Sequence, residues 1–171
     1  KLNIPGVHNV SNTLAAVSAG LTIGLDQSSL VNSLSKIELS PMRMDLRRTN
    51  SGTLVINDSY NANPASMNAA IDTLISVDAK TRIAVLGLMA ELGDRSAAEH
   101  RKIANRLEKS GTYVISVGVK EYGGVQVTTW EEALEKLHDS GLLGDNSVVL
   151  IKGSRVAGLD KVAEALHSEI R

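Results

Sequence analysis

The sequence contains no cysteine and no phenylalanine, and aromatic residues make up only 2% of its 171 residues. A chain without cysteine forms no disulfide and offers no thiolate as a metal ligand or nucleophile, which is typical of proteins from a reducing compartment. The scarcity of aromatic rings argues against a surface that binds nucleic acid by base stacking. We therefore expect a cytoplasmic protein that has no nucleic-acid partner.

The sequence also lacks an excess of charge and a long apolar run. Its 18 basic and 19 acidic residues give a net charge of −1, so the chain has no polycationic surface for nucleic acid or anionic lipid. No apolar run approaches the roughly 20 residues that a membrane-spanning helix needs, and the opening at Lys1 has no apolar signal-peptide segment. These features predict no membrane partner. The 43% hydrophobic content is enough for one domain with a buried core.

The first 39 residues have the pattern of two helices. Apolar residues recur at helical spacing at Val10, Leu14, Val17 and Leu21. A second, shorter helix is predicted after Asp26, because aspartate is a favoured helix N-cap. Ser40-Pro41 then breaks the chain, so we expect residues 1–39 to form a helical segment apart from residues 40–171.

Residues 40–171 alternate between strand and helix patterns. Two short strands at 43–49 and 53–57, joined by Asn50-Ser51-Gly52, predict a hairpin. Further strands are expected at 82–87, 113–118, 125–128 and 147–151, and helices at 64–77, 96–109, 130–137 and 155–170. Apolar strands that alternate with helices are typical of a parallel sheet covered on both faces. The pattern predicts a doubly wound α/β domain with a mostly parallel sheet, helices on both faces and one antiparallel edge hairpin.

Polar residues cluster where the predicted strands end, at 58–61, 87–91, 118–120 and 152–155. Sheets of this class bind ligands beyond the carboxyl ends of their strands. The richest cluster is Asp58-Ser59-Tyr60-Asn61-Ala62-Asn63-Pro64, which we call the elbow (residues 58–64). Turn chemistry and helix capping could also account for any one of these ends.

Each candidate residue has both an ordinary and a functional explanation. Asp58 could cap a turn or accept the hydroxyls of a ribose. Asn61 and Asn63 could form Asx turns or bind a small polar substrate. Residues 152–155 begin a predicted helix, where free N–H groups and two cations favour a carboxylate or a phosphate. Arg43, taken by itself, is best explained as a surface strand residue.

Several motifs of catalysis are absent from the sequence. It contains no Gly-x-x-x-x-Gly-Lys-Ser/Thr loop and no Gly-x-Gly-x-x-Gly fingerprint, and therefore no phosphate cradle of these types. It also lacks the Gly-x-Ser-x-Gly elbow of serine hydrolases. His100, His138 and His167 fall on predicted helix surfaces without the spacing of metal ligands, so we expect them to be solvated. We predict no metal site and no complete catalytic set.

Several segments, in the right order, resemble the Mur ligase family and in particular its D-alanyl-D-alanine-adding type (MurF). The elbow and residues 66–70 are similar to the signature of that type. Residues 5–16 resemble the segment that closes the central ATPase domain of the family. Arg43 falls where the family has an arginine at the start of its third domain, and residues 89–93 and 152–155 are similar to two further segments.

The resemblance implies an ATP-dependent, amide-forming ligase of peptidoglycan precursor synthesis. In this family ATP phosphorylates the terminal carboxylate of UDP-N-acetylmuramoyl-tripeptide, and the amine of D-alanyl-D-alanine attacks the acyl phosphate. The resemblance places Asn9 and Asn12 beside the adenine, Asp58 on the ribose hydroxyls and Arg43 on the ATP phosphates. It places the dipeptide against Tyr60, Asn61 and Asn63, and the dipeptide carboxylate against Lys152, Ser154 and Arg155.

The resemblance covers only part of such a ligase. The UDP-sugar-binding domain and the P-loop of the family would precede Lys1. Residues 1–39 would then be a helical remnant of the central ATPase domain, and residues 40–171 the Rossmann-like C-terminal domain. We expect the Mg²⁺ ligands mostly in the central domain, an inactive isolated chain and a monomeric enzyme. The alternative hypothesis is a non-catalytic α/β module that binds a nucleotide or a small polar ligand.

Overall fold

The computed structural model describes residues 7–37 and 40–168, with side chains from Asn9 onward. Pro5 and Gly6 of the segment 5–16, and Ile170 at the predicted end of the last helix, lie outside the described residues. The chain divides into two compact units, residues 1–40 and residues 41–171.

The first unit contains two helices, α1 (Val7–Thr22) and α2 (Gln27–Ser35). The second helix begins directly after Asp26, as the sequence predicted. Asp26 caps α2, because its carboxylate accepts a hydrogen bond from the backbone N–H of Ser29 at 3.0 Å. Hydrogen bonds from Ser28 and Ser29 hold the pKa of Asp26 well below its usual range. The predicted N-cap is therefore confirmed.

The second unit is built on a six-stranded sheet with the order β1-β2-β6-β3-β4-β5. The strands are β1 (Asp45–Arg48), β2 (Leu54–Asn57), β3 (Thr81–Leu86), β4 (Tyr113–Val117), β5 (Val125–Val127) and β6 (Ser147–Lys152). The edge pair β1–β2 is antiparallel, and every other pair is parallel. The last strand, β6, lies between β2 and β3, so the carboxyl ends of these three strands are neighbours.

Helices cover both faces of this sheet. They are α3 (Pro64–Ser76), α4 (Ser96–Lys109), α5 (Trp130–Asp139) and α6 (Asp160–Ser168). Strand residues such as Val85, Val149 and Ile151 pack on one face against α5 and α6. Alternate strand residues point to the other face, where α3 and α4 pack against each other and α3 against β6. The predicted α/β fold with an edge hairpin is confirmed. None of the described helices combines the length and the apolar character needed to cross a membrane.

Two predicted element boundaries are wrong, and both bear on the site. β1 begins at Asp45 rather than at Arg43, because the backbones of Met42 and Met44 have φ values of 62° and 50°, which are incompatible with a strand. The last helix begins at Asp160 rather than Arg155. Residues Arg155–Ala157 form a single 3-10 turn that ends at the left-handed Gly158, so no α-helix N-terminus faces an anion there.

Candidate functional site

Local side-chain-to-backbone hydrogen bonds stabilise the turn that the elbow makes after the end of β2. The Asn57 side-chain oxygen accepts from the backbone N–H of Ser59 (3.2 Å) and from its hydroxyl (2.6 Å). The Asn61 side-chain oxygen accepts from the N–H of Ala62 at 2.8 Å. Asn63 caps α3 in a capping box with Ser66. Asn61 and Asn63 therefore bond to the backbone, but as a contact with the next N–H and as a helix N-cap rather than in the predicted Asx turns. Both residues remain exposed.

Asp58 lies directly beyond the carboxyl end of β2, next to the end of β6. Its backbone N–H donates to Ile151 O at 2.9 Å. Its Oδ1 accepts from the N–H of Met44 at 3.1 Å, and its Oδ2 lies 2.6 Å from Lys152 Nζ. The Asp58 side chain retains 14% exposure. Because each carboxylate oxygen can accept more than one hydrogen bond, these two contacts leave acceptor capacity for a further donor.

Lys152 is the largest polar side chain of the core, with 1% relative exposure. Besides Asp58 Oδ2, its ammonium donates to two backbone oxygens of the elbow, Asp58 O (3.3 Å) and Asn61 O (2.9 Å). Burial lowers the pKa of the Lys152 ammonium, and the Asp58 charge opposes that shift. The ion pair thus lies behind the elbow rather than on its outer surface.

Ser154 connects the elbow to the end of β3. The Ser154 hydroxyl is buried, accepts from the N–H of Ala90 at 2.8 Å and donates to Ala62 O at 3.4 Å. The N–H of Ser154 donates to Leu88 O at 2.7 Å. Gly153 permits this close approach, because a Cβ there would lie 3.1 Å from Gly87 Cα. The end of β6 therefore holds both neighbouring strand ends together.

The outer surface of the elbow carries two arginines on one aromatic ring. The guanidinium of Arg43 lies 4.2 Å from the centroid of the Tyr60 ring, and that of Arg155 lies 5.7 Å from it. All three side chains are exposed. The N–H of Tyr60 donates to Met42 O at 3.1 Å, which ties the ring to the segment that carries Arg43. We call Arg43, Tyr60 and Arg155 the exposed cluster; cations stacked on a ring in this way remain open to an anionic ligand.

His100 is not the solvated surface residue that the sequence predicted. Its side chain is 1% exposed, and its Nε2 accepts from the N–H of Met89 at 2.9 Å. Its Nδ1 lies 2.7 Å from Ser96 O, so the neutral ring must carry its proton on Nδ1. The signal was present in the sequence, because His100 shares a helical stripe with the buried Ile103 and Leu107.

A second aromatic group supports the same strand end. The ring of Tyr122 meets the His100 ring edge-on at 5.0 Å, and its hydroxyl donates to Gly87 O at 3.2 Å. Burial raises the pKa of this hydroxyl, so it stays a donor under ordinary conditions. Sequence analysis did not single out Tyr122 and predicted a solvated His100, but together these side chains hold residues 87–90 beside Ser154.

The other sequence-predicted residues lie elsewhere. Asn9 and Asn12 belong to α1 in the first unit; Asn9 is buried there, with its carbonyl accepting from Thr13 Oγ1 at 2.7 Å, and Asn12 is exposed. Their place beside an adenine stays a prediction. The end of β4 is tied to β5, since Gly118 N–H donates to Val127 O. Within residues 7–37 and 40–168, no group of three or more histidines and acids could hold a metal ion.

Comparison with known proteins identifies the family. Residues 42–155 match the model of the Mur ligase glutamate ligase domain. The UDP-N-acetylmuramoyl-tripeptide–D-alanyl-D-alanine ligase of Bacillus subtilis (strain 168) is 31% identical, with 95% of this chain and 38% of that protein covered. A crystal structure of MurF from Acinetobacter baumannii superposes with a TM-score of 0.84 at 28% identity, over 98% of this chain and 39% of the other.

A second solved structure shares the fold at lower identity. MurF ligase from Thermotoga maritima in complex with ADP superposes with a TM-score of 0.80 at 24% identity, over 97% of this chain and 39% of that one. The chain thus spans about two fifths of the length of the relatives it matches. Together, the domain match, the identity and the shared fold show that this chain belongs to the Mur ligase family.

Proposed function

We propose that the chain is the C-terminal part of an ATP-dependent ligase that adds D-alanyl-D-alanine to UDP-N-acetylmuramoyl-tripeptide. Residues 1–39 would be a helical remnant of the central ATPase domain, and residues 40–171 the C-terminal domain. The observation that carries the proposal is the exposed cluster beside Asp58: two cations and one carboxylate gathered at the carboxyl end of the sheet. The name of the Bacillus subtilis relative supports the substrates.

The proposed ligand contacts follow from which groups remain available. Asp58 would accept the ribose hydroxyls of ATP with its remaining acceptor capacity, and Arg43 would bind the phosphates. Asn9 and Asn12 would lie by the adenine. The ADP complex of the Thermotoga maritima ligase supports a nucleotide in this family.

The dipeptide would also bind at the elbow. Tyr60, Asn61 and Asn63 would contact it, and Arg155 would receive its carboxylate. The resemblance also implied Lys152 and Ser154 for that carboxylate, but we propose Arg155 alone. Their burial and protein partners favour Arg155, which is exposed and carries a planar guanidinium suited to a carboxylate.

In the proposed reaction this chain binds and orients. Phosphate from ATP converts the tripeptide carboxylate into an acyl phosphate, so the attacking amine displaces phosphate rather than hydroxide. We propose that most of the Mg²⁺ ligands, together with the P-loop, lie in the central domain. We propose a cytoplasmic, monomeric enzyme, and we expect no ligase activity from the 171 residues alone.

The decisive variant is Asp58→Ala in the full-length protein that contains this chain. Loss of one charge-assisted contact should cost about 1.5–3 kcal/mol, which raises the KM for ATP by about 10- to 150-fold. Asp72→Ala is the matched control, because Asp72 is a 67% exposed helix carboxylate. An unchanged KM in Asp58→Ala would remove the ribose assignment.

A separate test addresses the whole proposal. Phosphate release from ATP with both substrates should be absent in the 171-residue chain and present in the full-length protein. A gene that encodes no Gly-x-x-x-x-Gly-Lys-Ser/Thr motif upstream of Lys1 would contradict the ligase and favour the alternative hypothesis, a non-catalytic module that binds a nucleotide or a small polar ligand.

A further inference from the structure

We infer that Lys152 and Ser154 are positioning residues that hold the backbone of the elbow, and that neither binds the anionic group of a ligand. The structural part of this inference stands on the contacts of the described residues alone. Its consequence for substrate binding rests on the proposed function.

The elbow needs such support because its backbone leaves the sheet. The carbonyls of Asp58, Asn61 and Ala62 belong to residues outside any helix or strand, and carbonyls of this kind need partners from elsewhere when they face the protein interior. Lys152 Nζ supplies the partner of Asp58 O and Asn61 O, and Ser154 Oγ that of Ala62 O. Two side chains from the end of β6 thus hold three carbonyls along the elbow.

Neither side chain keeps a donor for a ligand. The contacts of Lys152 with Asp58 Oδ2, Asp58 O and Asn61 O account for all the donors of an ammonium group. The single hydroxyl proton of Ser154 is directed to Ala62 O, and its oxygen accepts from Ala90. A ligand carboxylate would have to break these bonds inside the protein to reach either group.

The charge of Lys152 also orients a neighbouring carboxylate. A buried ammonium requires a counter-charge, and Asp58 Oδ2 provides it at 2.6 Å. The pair fixes the orientation of the Asp58 carboxylate, with Oδ1 towards the N–H of Met44. Lys152 therefore sets the position of Asp58, and through the Met42–Met44 segment it also influences Arg43.

The inference predicts a specific pattern of amide hydrogen exchange in the 171-residue chain. Lys152→Met should accelerate exchange at Met44, Tyr60 and Ala62 by about tenfold or more, because it releases the elbow locally. Exchange at the central strand residue Ile115, which requires unfolding of the whole unit, should accelerate only as far as the loss of global stability allows. Lys120→Met, which removes an exposed lysine, is the matched control and should change none of these rates. Wild-type exchange at the elbow in Lys152→Met would overturn the inference.

Ser154→Ala tests the second positioning residue in a milder variant. It should accelerate exchange at Ala90 and Ala62 while β2 keeps its wild-type rates. Because removal of a buried cation can unfold the unit, this variant keeps the inference testable if Lys152→Met does not fold. Wild-type exchange at both Ala90 and Ala62 would overturn the assignment of Ser154.

Lysine labelling of the wild-type chain needs no variant. In the folded chain, an amine-reactive ester should modify Lys152 about a hundredfold more slowly than the exposed Lys120. In concentrated urea, which unfolds the chain, the two lysines should react at the same rate. Adding D-alanyl-D-alanine should leave the rate at Lys152 unchanged. A Lys152 that reacts like Lys120 and is protected by the dipeptide would be a ligand residue, and the inference would be wrong.

Kinetics of the full-length protein separate positioning from direct contact. Lys152→Met should raise the KM for ATP and the KM for D-alanyl-D-alanine together, because Asp58 and the rest of the elbow shift as one. A rise in the dipeptide KM alone would indicate direct contact and overturn the inference. If the wild-type protein shows no ATP-dependent use of the dipeptide, the proposed function fails, while the exchange and labelling results still decide the role of Lys152.

Discussion

The elbow has two faces that both carry basic residues, and the two sets behave differently. On the inner face, Lys152 is 1% exposed and its ammonium is bonded to protein oxygens. On the outer face, the guanidiniums of Arg43 and Arg155 lie over the ring of Tyr60 and remain exposed. The residue types alone do not reveal this difference, because all three are cations near the ends of strands.

Desolvation explains the contrast. A cation that has lost its water must be bonded within the protein, so its loss leaves an unpaired carboxylate and unpaired carbonyls. A cation that keeps its water contributes little to stability and stays available to a ligand. Lys152 on the inner face therefore stabilises the elbow, and the arginines on the outer face remain available to a ligand.

The largest expected effect concerns the inner cation. Lys152→Met should lower the free energy of unfolding of the second unit by about 3–5 kcal/mol, because it leaves Asp58 without its partner. Urea unfolding followed through Trp130, the single tryptophan, measures this loss. Lys120→Met should stay within about 0.5 kcal/mol of the wild type, and equal effects of the two variants would abolish the contrast between buried and exposed cations.

His100 extends the comparison to a neutral group of the inner framework. His100→Leu keeps the side-chain volume but leaves the N–H of Met89 without its acceptor, so it should cost about 1–3 kcal/mol in the same unfolding experiment. His138→Leu, at an exposed helix position, should cost less than about 0.5 kcal/mol. A His100→Leu chain as stable as the wild type would show that this bond does not support residues 87–90.

Substitutions in the exposed cluster should affect ligand binding more than stability. Arg43→Ala removes an exposed cation–π contact and should lower the free energy of unfolding by at most about 1 kcal/mol. Arg101→Ala, another exposed arginine, is the stability control. In the full-length protein Arg43→Ala should nevertheless raise the KM for ATP, which Arg101→Ala should not. A large loss of stability in Arg43→Ala would place Arg43 with the inner framework instead.

His167 is intermediate in burial, and its substitution should have the smallest effect on stability. Partial burial, and then the charge of Arg47, lower the pKa of this half-buried histidine below its ordinary value of 6.5. The unfolded chain therefore binds a proton more tightly than the folded chain, so His167 costs stability as the pH falls through that value. His167→Gln should reduce the loss of stability between about pH 7 and pH 5. His138→Gln is the control, and an identical pH dependence in His167→Gln and the wild type would contradict the shift.

Most of the fold could be predicted from periodicity and capping residues. The helix at Ser96–Lys109 has the predicted bounds, and the other strands and helices, the last helix aside, begin or end within a few residues of theirs. The predicted boundaries are wrong where the backbone conformation of a single residue ends a strand or a helix. Met42, Met44 and Gly158 adopt positive φ, and nothing in the surrounding pattern distinguishes them from ordinary strand or helix residues.

The candidate site was predictable in location but not in the role of each residue. The polar ends of β2, β3 and β6 could be found from the sequence, because parallel strands place their carboxyl ends at one edge of a sheet. The direction of each side chain could not. Lys152 and Arg155 are close in sequence, yet Lys152 belongs to a strand that directs it towards the core, and Arg155 to a turn that leaves it exposed.

The sequence by itself determined the α/β class, the position of the elbow and the resemblance to the Mur ligase family, because these depend on local pattern and motif. Only the tertiary structure decided that β6 lies between β2 and β3, which brings Lys152 against Asp58 across 94 positions of sequence. Burial is a property of that packing, and burial determines whether a charged side chain bonds to groups of the protein or remains available to a ligand. The division of the elbow into an inner framework and an outer binding surface therefore appears only in three dimensions.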